Sequence, residues 1–320
     1  MPLATRFALG KELIALAKDH EFLLFNVDTK AVGLEEFGTL FPGREYNLGI
    51  AEQCMMAAAA GAASCGNKVY VVSYSVFASM RACEQVRSFI CYPNLDVTII
   101  SSHAGLQVGS DGATHMATED VSIMRSFPNL TIVQPSDETC ARAIARASVD
   151  FHGPLYIKVH KAPVPDINPS EGYVFKLGKA NAMCSYGDDI AIFATGVMVN
   201  LVMKQDVMVG KGLEAAKRLR EKGINPCLYD FHTLKPLDEA TILEAAARCR
   251  CVLTLEDHTI LGGLGGAVAE ILGEKCPVRM KRIGIRDVFG ESGEPEDLYK
   301  KYAMSMDDIL LAAEQLVGIK

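Results

Sequence analysis

A single carboxylate, Glu52, stands at the start of a long run of small apolar residues. The stretch from Tyr46 to Ser64 reads YNLGIAEQCMMAAAAGAAS. Because burial among apolar groups disfavours a charged carboxylate, we expect Glu52 to favour its protonated, neutral form, which can donate a hydrogen bond to a ring nitrogen. The alternative is a glutamate in the first turn of a helix, with its side chain in water.

Two aromatic residues follow the next β-branched run. Tyr74 and Phe77, in the segment YSVF, lie just beyond the predicted end of a strand. Their spacing allows both rings to face one pocket. They can equally be ordinary core aromatics.

The segment 102–120, SHAGLQVGSDGATHMATED, is too polar and too rich in glycine for a core element. In α/β folds, loops after strand ends carry ligand contacts. His103 and His115 suit proton transfer and hydrogen bonds to sugar hydroxyls, and Asp111 lies between them. A metal site is the rival interpretation, but these three residues lack the short spacing of helical metal ligands.

Four basic or titratable residues could bind an anionic substrate group, although each alone could be a solvated surface charge. They are Arg6, Lys158, His160 and Lys161. The glycine-rich segment 259–270 has neither a P-loop nor a GxGxxG pattern, so its glycines are better explained by close packing. No GxSxG elbow supports a serine hydrolase.

Strand-like and helix-like segments alternate along the chain, which predicts an α/β fold with parallel sheets in two domains. We assign residues 1–160 to the first domain, the proline-containing segment 161–180 to a linker, and residues 181–320 to the second domain. Within 196–212, Val-Met-Val occurs twice, and we assign this repeat no function. The predicted strands are 22–28, 69–75, 95–101, 130–135, 155–160, 189–196, 226–236, 251–258 and 278–285. The predicted helices include 51–64, 78–91, 117–126, 137–148, 211–222, 238–248 and 264–272.

Composition argues against a nucleic-acid-binding, membrane-spanning or secreted protein. The 320 residues carry a formal net charge of −7 without a basic run, which argues against a nucleic-acid surface. No apolar run is long enough for a membrane span, and the first residues lack a signal-peptide pattern. The ten cysteines are scattered. They are best explained as buried thiols of a cytoplasmic protein.

Taken together, four segments resemble the transketolase family of thiamine-diphosphate enzymes, which includes deoxyxylulose-5-phosphate synthase. YNLGIAEQ (46–53) resembles the family's glutamate motif, and YSVF (74–77) its pyrimidine-stacking segment. GSDGATHMATEDVSIMRSFPNLTIVQPSD (109–137) is a long match to its DG-x-TH … R-x-x-PN … P-x-D block. FGESGEPEDLYKKY (289–302) resembles the end of its C-terminal domain.

The resemblance implies a pyrimidine-binding domain followed by a transketolase C-terminal domain. The family's diphosphate–magnesium signature, GDG with a later Asn, is absent from the sequence; GDD (187–189) lacks the sequel. We therefore expect the C-terminal subunit of a split transketolase. It would bind the pyrimidine half of thiamine diphosphate, while a separate N-terminal subunit holds the diphosphate and Mg²⁺. Self-association would give a dimer of this chain within a heterotetramer.

The resemblance also assigns roles to single residues. Glu52 would hydrogen-bond the ring nitrogen of the aminopyrimidine and so activate the cofactor, which acts as an electron sink. Tyr74 and Phe77 match the stacking positions. The positions that match substrate contacts are His103 and His115 for the sugar, Asp111 for a hydroxyl, and Arg6 and Lys161 for the phosphate.

Two positions depart from the family pattern. Lys161 replaces a usual arginine, and lysine is a point charge rather than a bidentate fork. Cys54 stands where histidine is usual after the glutamate motif. Three alternatives therefore stay open: the β subunit of a 2-oxoacid dehydrogenase, half of an enzyme similar to deoxyxylulose-5-phosphate synthase, and a non-catalytic regulatory paralogue.

Overall fold

The β-branched runs form the strands of two separate sheets. The computed structural model describes residues 3–29, 32–199 and 211–318; the second Val-Met-Val copy, 207–209, lies outside them. In chain order the strands are β1 (Leu23–Asn26), β2 (Glu45–Asn47), β3 (Val69–Tyr74), β4 (Val97–Ser102), β5 (Thr131–Val133), β6 (Leu155–Lys158), β7 (Asn181–Ser185), β8 (Ile190–Ala194), β9 (Pro226–Asp230), β10 (Thr233–Lys235), β11 (Cys251–Thr259) and β12 (Arg279–Ile285).

The predicted α/β class is confirmed, with one correction to the strand directions. The first sheet has the order β10-β5-β6-β4-β3-β1-β2, and the second has the order β12-β11-β8-β9-β7. Neighbouring strands are parallel except at one edge of each sheet, where β10 and β7 run antiparallel to their neighbours. Both sheets are therefore mixed rather than wholly parallel.

The segment 226–236, predicted as one strand, is split between the two sheets. Its first half, β9, pairs with β8, whereas its second half, β10, crosses over and pairs with β5 of the first sheet. Phe231 and Leu234 at the crossing are buried in a hydrophobic cluster that contains residues of both sheets. Burying both side chains in this shared core favours the crossing over a continued strand.

Helices cover the sheets, and most lie where the sequence predicts them. None of the helices in the described part of the chain is long and apolar enough to cross a membrane. In chain order they are α1 (Thr5–Leu16), α2 (Phe37–Leu40), α3 (Glu52–Ser64), α4 (Cys83–Gln85), α5 (Asp120–Arg125), α6 (Glu138–Val149), α7 (Lys211–Glu221), α8 (Glu239–Cys249), α9 (Leu264–Lys275), α10 (Pro295–Lys301) and α11 (Met306–Val317).

The predicted helix 78–91 is not a regular α-helix. Two π-helical stretches, Phe77–Arg81 and Val86–Cys91, flank the short α4. A π-helical turn is wider than an α-helical turn and is frequently found at functional sites. This stretch follows β3 directly and packs against α3.

The glycine-rich segment 259–270 packs around a buried carboxyl group of the protein itself. The buried carboxylate of Glu256 accepts hydrogen bonds from the backbone N–H groups of Leu264 and Gly265, at 2.7 and 2.8 Å. A Cβ atom at Gly263 would lie 2.0 Å from Glu256 Oε2. These glycines therefore admit the protein's own carboxylate to the N-terminus of α9, as the packing interpretation predicts.

Candidate active site

The predicted site residues gather at one edge of the first sheet. Tyr74 ends β3, His103 follows β4, and Lys161 lies shortly after β6. Strands β3, β4 and β6 are parallel neighbours, so their carboxyl ends meet. The crevice outside the carboxyl ends of parallel strands is the usual ligand site of an open α/β sheet.

Four rings form a cluster at this edge. The ring of Tyr74 lies 4.1 Å from His103 and 6.0 Å from Phe77, measured between centroids. His115 meets both aromatic rings at steep angles, 5.9 Å from Tyr74 and 5.5 Å from Phe77. Tyr74, Phe77 and His115 are half-buried, so their rings are not sealed inside the core.

His103 is held in an uncommon conformation. Its φ of 60° lies in the left-handed region, which non-glycine residues seldom adopt. The side chain is only 4% exposed, and its Nδ1 lies 3.0 Å from Ser102 Oγ. Such strain persists only where the surroundings impose it, and it is concentrated at functional sites. The backbone thus aims this imidazole at the ring cluster.

We expect His103 to stay neutral well below pH 6. Burial, followed by the positive charges of Arg6 and Lys161, lowers its pKa to about 4. A lowered histidine pKa stabilises the fold above the unfolded value of about 6.5, and this contribution is lost as the pH falls towards 4. A ¹H–¹³C NMR titration of the Cε1–H signals measures this directly, with His103→Gln for assignment. A midpoint near 6.5 contradicts the expectation.

The polar residues at this edge include an ion pair that the sequence did not predict. Lys161 Nζ lies 2.8 Å from Asp111 Oδ2 and donates a further hydrogen bond to the carbonyl of Val108. This bond from Lys161 is the main cause of a lowered pKa for Asp111. Arg6 lies near enough to Asp111 and Tyr74 to interact electrostatically with both. A ligand at this edge therefore meets a pre-formed Lys161–Asp111 pair.

Two of the four candidate anion-binding residues do not face the site. Lys158 is fully buried and forms an ion pair with Asp120, with 2.8 Å between Nζ and Oδ1. His160 is also fully buried and is hydrogen-bonded between Gln107 and Gln134. The suggestion that Lys158 and His160 bind a substrate anion is therefore wrong, because their side chains point into the interior rather than along the open edge.

Glu52 opens α3 and is 1% exposed, as the apolar run predicts. However, Arg81 Nη1 lies 2.7 Å from Glu52 Oε2 and forms an ion pair with it. A cation therefore lies against this carboxyl, a contact that the apolar run did not predict. The neutral form of Glu52 stays a prediction.

Sequence analysis missed Arg81. Its guanidinium carbon lies 4.2 Å from the centroid of the Phe77 ring, so one side chain contacts both Phe77 and Glu52. The available signal was that Arg81 lies in the predicted helix 78–91, four residues after Phe77. Side chains at this spacing share one face when the helix begins at Phe77. Among the described residues, no group of three or more His, Cys, Asp or Glu side chains could hold a metal ion.

Comparison with known proteins agrees with this geometry. The family models described as Transketolase, pyrimidine binding domain, and Transketolase, C-terminal domain, match residues 1–166 and 178–309. The 6-deoxy-6-sulfo-D-fructose transketolase subunit of Clostridium sp. (strain MSTE9) is 37% identical over 304 residues. That match covers 95% of this chain and 91% of the relative.

Two further proteins match nearly end to end. An apulose-4-phosphate transketolase subunit of Phocaeicola vulgatus is 32% identical over 317 residues, which is 98% of each chain. A solved structure described as a split gene transketolase, an inactive beta4 tetramer, is 36% identical, with a TM-score of 0.88. The match covers 99% of both chains.

Proposed function

This chain belongs to the transketolase family, and we propose that within this family it is the C-terminal subunit of a split transketolase. It transfers a two-carbon ketol unit from a ketose phosphate to an aldose phosphate. The observation that carries this proposal is the gathering of one buried carboxylate, two adjacent aromatic rings and a polar rim at the same sheet edge.

The residues present fit the pyrimidine half of thiamine diphosphate. Glu52 supplies a buried carboxyl for a ring nitrogen, and Phe77 and Tyr74 supply half-buried ring faces for a flat heterocycle. Bound thiamine diphosphate supplies the electron sink for carbon–carbon bond cleavage. Glu52 holds the proton at the pyrimidine nitrogen, and the aromatic rings orient the heterocycle and exclude water.

The polar rim is suited to a sugar with an anionic end. Nδ1 of His103 is engaged by Ser102, which leaves Nε2 to donate a hydrogen bond to a substrate hydroxyl or to accept one from it. His115 and Asp111 add further polar contacts beside it. Arg6 and Lys161 supply the positive charge for the anion. A substrate anion must share Lys161 with Asp111 or displace the Asp111 carboxylate from Lys161. This ion pair therefore contributes to substrate choice.

The anionic group of the sugar substrate can be a phosphate or a sulfonate. One relative is named for a sulfo sugar and another for a sugar phosphate, and both matches span nearly the whole chain. Sulfonate and phosphate are both tetrahedral oxyanions that arginine and lysine bind. We propose a phosphate as the first candidate, with a sulfonate as the direct comparison.

The proposal assigns the diphosphate and Mg²⁺ to a separate N-terminal subunit. The likeness to split transketolase subunits supports this division. The proposal places a dimer of this chain in a heterotetramer with two copies of the partner. The pentose phosphate pathway is the corresponding metabolic setting. All ten cysteines are free thiols, which supports a location in the reducing cytoplasm, although Cys54 and Cys65 are exposed and not buried as predicted.

A reconstitution assay tests the function. The chain is assayed alone, and then mixed with the diphosphate-binding subunit of the same organism, thiamine diphosphate and Mg²⁺. Xylulose 5-phosphate and ribose 5-phosphate serve as donor and acceptor, with 6-deoxy-6-sulfofructose as a second donor. We expect ketol transfer only in the mixture, because each chain holds half of the cofactor.

Pyruvate is the negative control in this assay. Decarboxylation of pyruvate without ketol transfer would identify a 2-oxoacid dehydrogenase subunit instead. A stable complex that acts on no sugar would contradict the proposal and favour a regulatory role. Lys161→Arg and Cys54→His are then the first variants to compare.

A further inference from the structure

Arg81 makes two contacts at once, both with residues of the proposed pyrimidine site. Its Nη1 donates to Glu52 Oε2 over 2.7 Å, and its guanidinium lies 4.2 Å from the centre of the Phe77 ring. A guanidinium is planar, donates hydrogen bonds in its own plane and stacks on aromatic faces. Arg81 therefore combines a charge-assisted hydrogen bond to Glu52 with a cation–π contact to Phe77.

An aminopyrimidine bound by the same residues requires the same two contacts. It is also a flat nitrogen-containing group, with a ring nitrogen for the carboxyl of Glu52 and a face for Phe77. The other ring neighbours of Phe77 are Tyr74 and His115, at 6.0 and 5.5 Å. Arg81 thus covers the side of Phe77 that adjoins Glu52.

Exposure indicates which of the two charged side chains can move. Glu52 is 1% exposed, whereas the side chain of its partner Arg81 is 45% exposed. The guanidinium is therefore the more exposed member of the pair, and a ligand that binds Glu52 Oε2 must displace Arg81 from it. A long, half-exposed arginine can turn its charged end into water at small cost.

We propose that Arg81 is a displaceable placeholder for the aminopyrimidine. In the subunit alone it neutralises Glu52 and covers Phe77, and it swings outward when the heterocycle docks. This inference rests on the proposed function. Its chemical consequence is an exchange of partners at Glu52: the carboxyl loses the hydrogen bond from Arg81 and gains the ring nitrogen of the heterocycle.

The inference predicts the sign of a binding change. If Arg81 occupies the site for about four-fifths of the time, it weakens the apparent affinity for the cofactor about fivefold. In the reconstituted complex, Arg81→Met should therefore bind thiamine diphosphate about fivefold more tightly than wild type. Isothermal titration calorimetry measures this without any turnover. Arg81→Lys keeps the charge but loses the planar stack, and should give an intermediate affinity.

Arg87→Met is the matched control. Arg87 lies six residues further along the same helical segment and is exposed, and within the described part of the chain its guanidinium donates a hydrogen bond only to Ser88 Oγ, at 3.3 Å. Its replacement should leave the dissociation constant unchanged. Weaker or unchanged binding by Arg81→Met overturns the placeholder role, because an attachment point weakens binding when removed and a bystander has no effect.

A thermal-unfolding cycle on the isolated chain gives a second measurement. Arg81→Met should lower the unfolding midpoint, because it leaves Glu52 buried without a cation, and the loss should largely disappear in a Glu52→Gln background. Additive effects of the two changes contradict the pairing. If the wild-type complex binds no thiamine diphosphate, the proposed function fails and the inference fails with it. If the wild-type complex binds thiamine diphosphate and Arg81→Met binds it with the same affinity, only the placeholder role of Arg81 is overturned.

Discussion

Glu52→Ala is expected to abolish ketol transfer in the reconstituted complex, with a loss of about 10²- to 10⁴-fold in kcat. The carboxyl opens α3 at the proposed pyrimidine site, where it can exchange a proton with the ring nitrogen, and it is 1% exposed. Alanine has no group that can exchange this proton. Steady-state kinetics with saturating thiamine diphosphate measure the loss.

Assembly of the complex should survive this change. Alanine removes a buried charge together with its partner contact, and Arg81, which is already half-exposed, can be solvated. Glu239→Ala is the matched control, since Glu239 also stands in the first turn of a helix but has a side chain that is 44% exposed. An active Glu52→Ala complex would remove Glu52 from the proposed chemistry.

Asp120→Ala is expected to lower the free energy of unfolding by about 3–5 kcal/mol. Asp120 and Lys158 are both fully buried, with 2.8 Å between the carboxylate and the ammonium group. Tyr156 donates a hydrogen bond to the second oxygen of the same carboxylate, over 2.9 Å. The alanine variant leaves Lys158 charged and unpaired in the interior. Chemical denaturation with a two-state analysis measures the change.

A comparison between two ion pairs tests the cause of this loss. The Lys161–Asp111 pair is partly exposed, so Asp111→Ala should cost less than about 1 kcal/mol. Replacing both buried partners, as in Asp120→Leu with Lys158→Met, should recover much of the stability, because it removes the unpaired charge. A loss below about 1 kcal/mol for Asp120→Ala contradicts the argument.

The pH dependence of this contribution follows from the pKa of Asp120. Burial alone raises that pKa, but the charges of Lys158 and His258 and the hydrogen bonds to the carboxylate outweigh it and hold the pKa below the usual value. A lowered acid pKa stabilises the fold above the unfolded value of about 3.9, and the contribution is lost as the pH falls further. The stabilisation by Asp120 is therefore complete at neutral pH.

Local sequence patterns were sufficient for most of the fold. Runs of β-branched residues predicted the parallel strands, and α3 begins and ends almost where its apolar run does. They failed where long-range packing determines the outcome. The segment 226–236 reads as one strand, yet burial of Phe231 and Leu234 in the shared core directs its second half to the other sheet.

Residue types and their order along the chain were enough to predict which residues share the candidate site. Tyr74, His103 and Lys161 follow neighbouring parallel strands, and the topology of such a sheet brings strand ends to one edge. The long motif match around Asp111 and His115 identified the family from residue types alone. Neither inference required a side-chain position.

The pairing of charges, by contrast, depends on the packing of the folded chain. Arg81 pairs with Glu52, Lys161 with Asp111 and Lys158 with Asp120, across sequence separations of 29, 50 and 38 residues. No local pattern encodes such pairs, because they depend on how α3, the π-helical stretch and the strand-end loops pack together. The partner that each charged side chain meets is therefore set by the tertiary packing. For this reason the sequence identified Glu52 as the central carboxyl, whereas the fold revealed the cation that covers it.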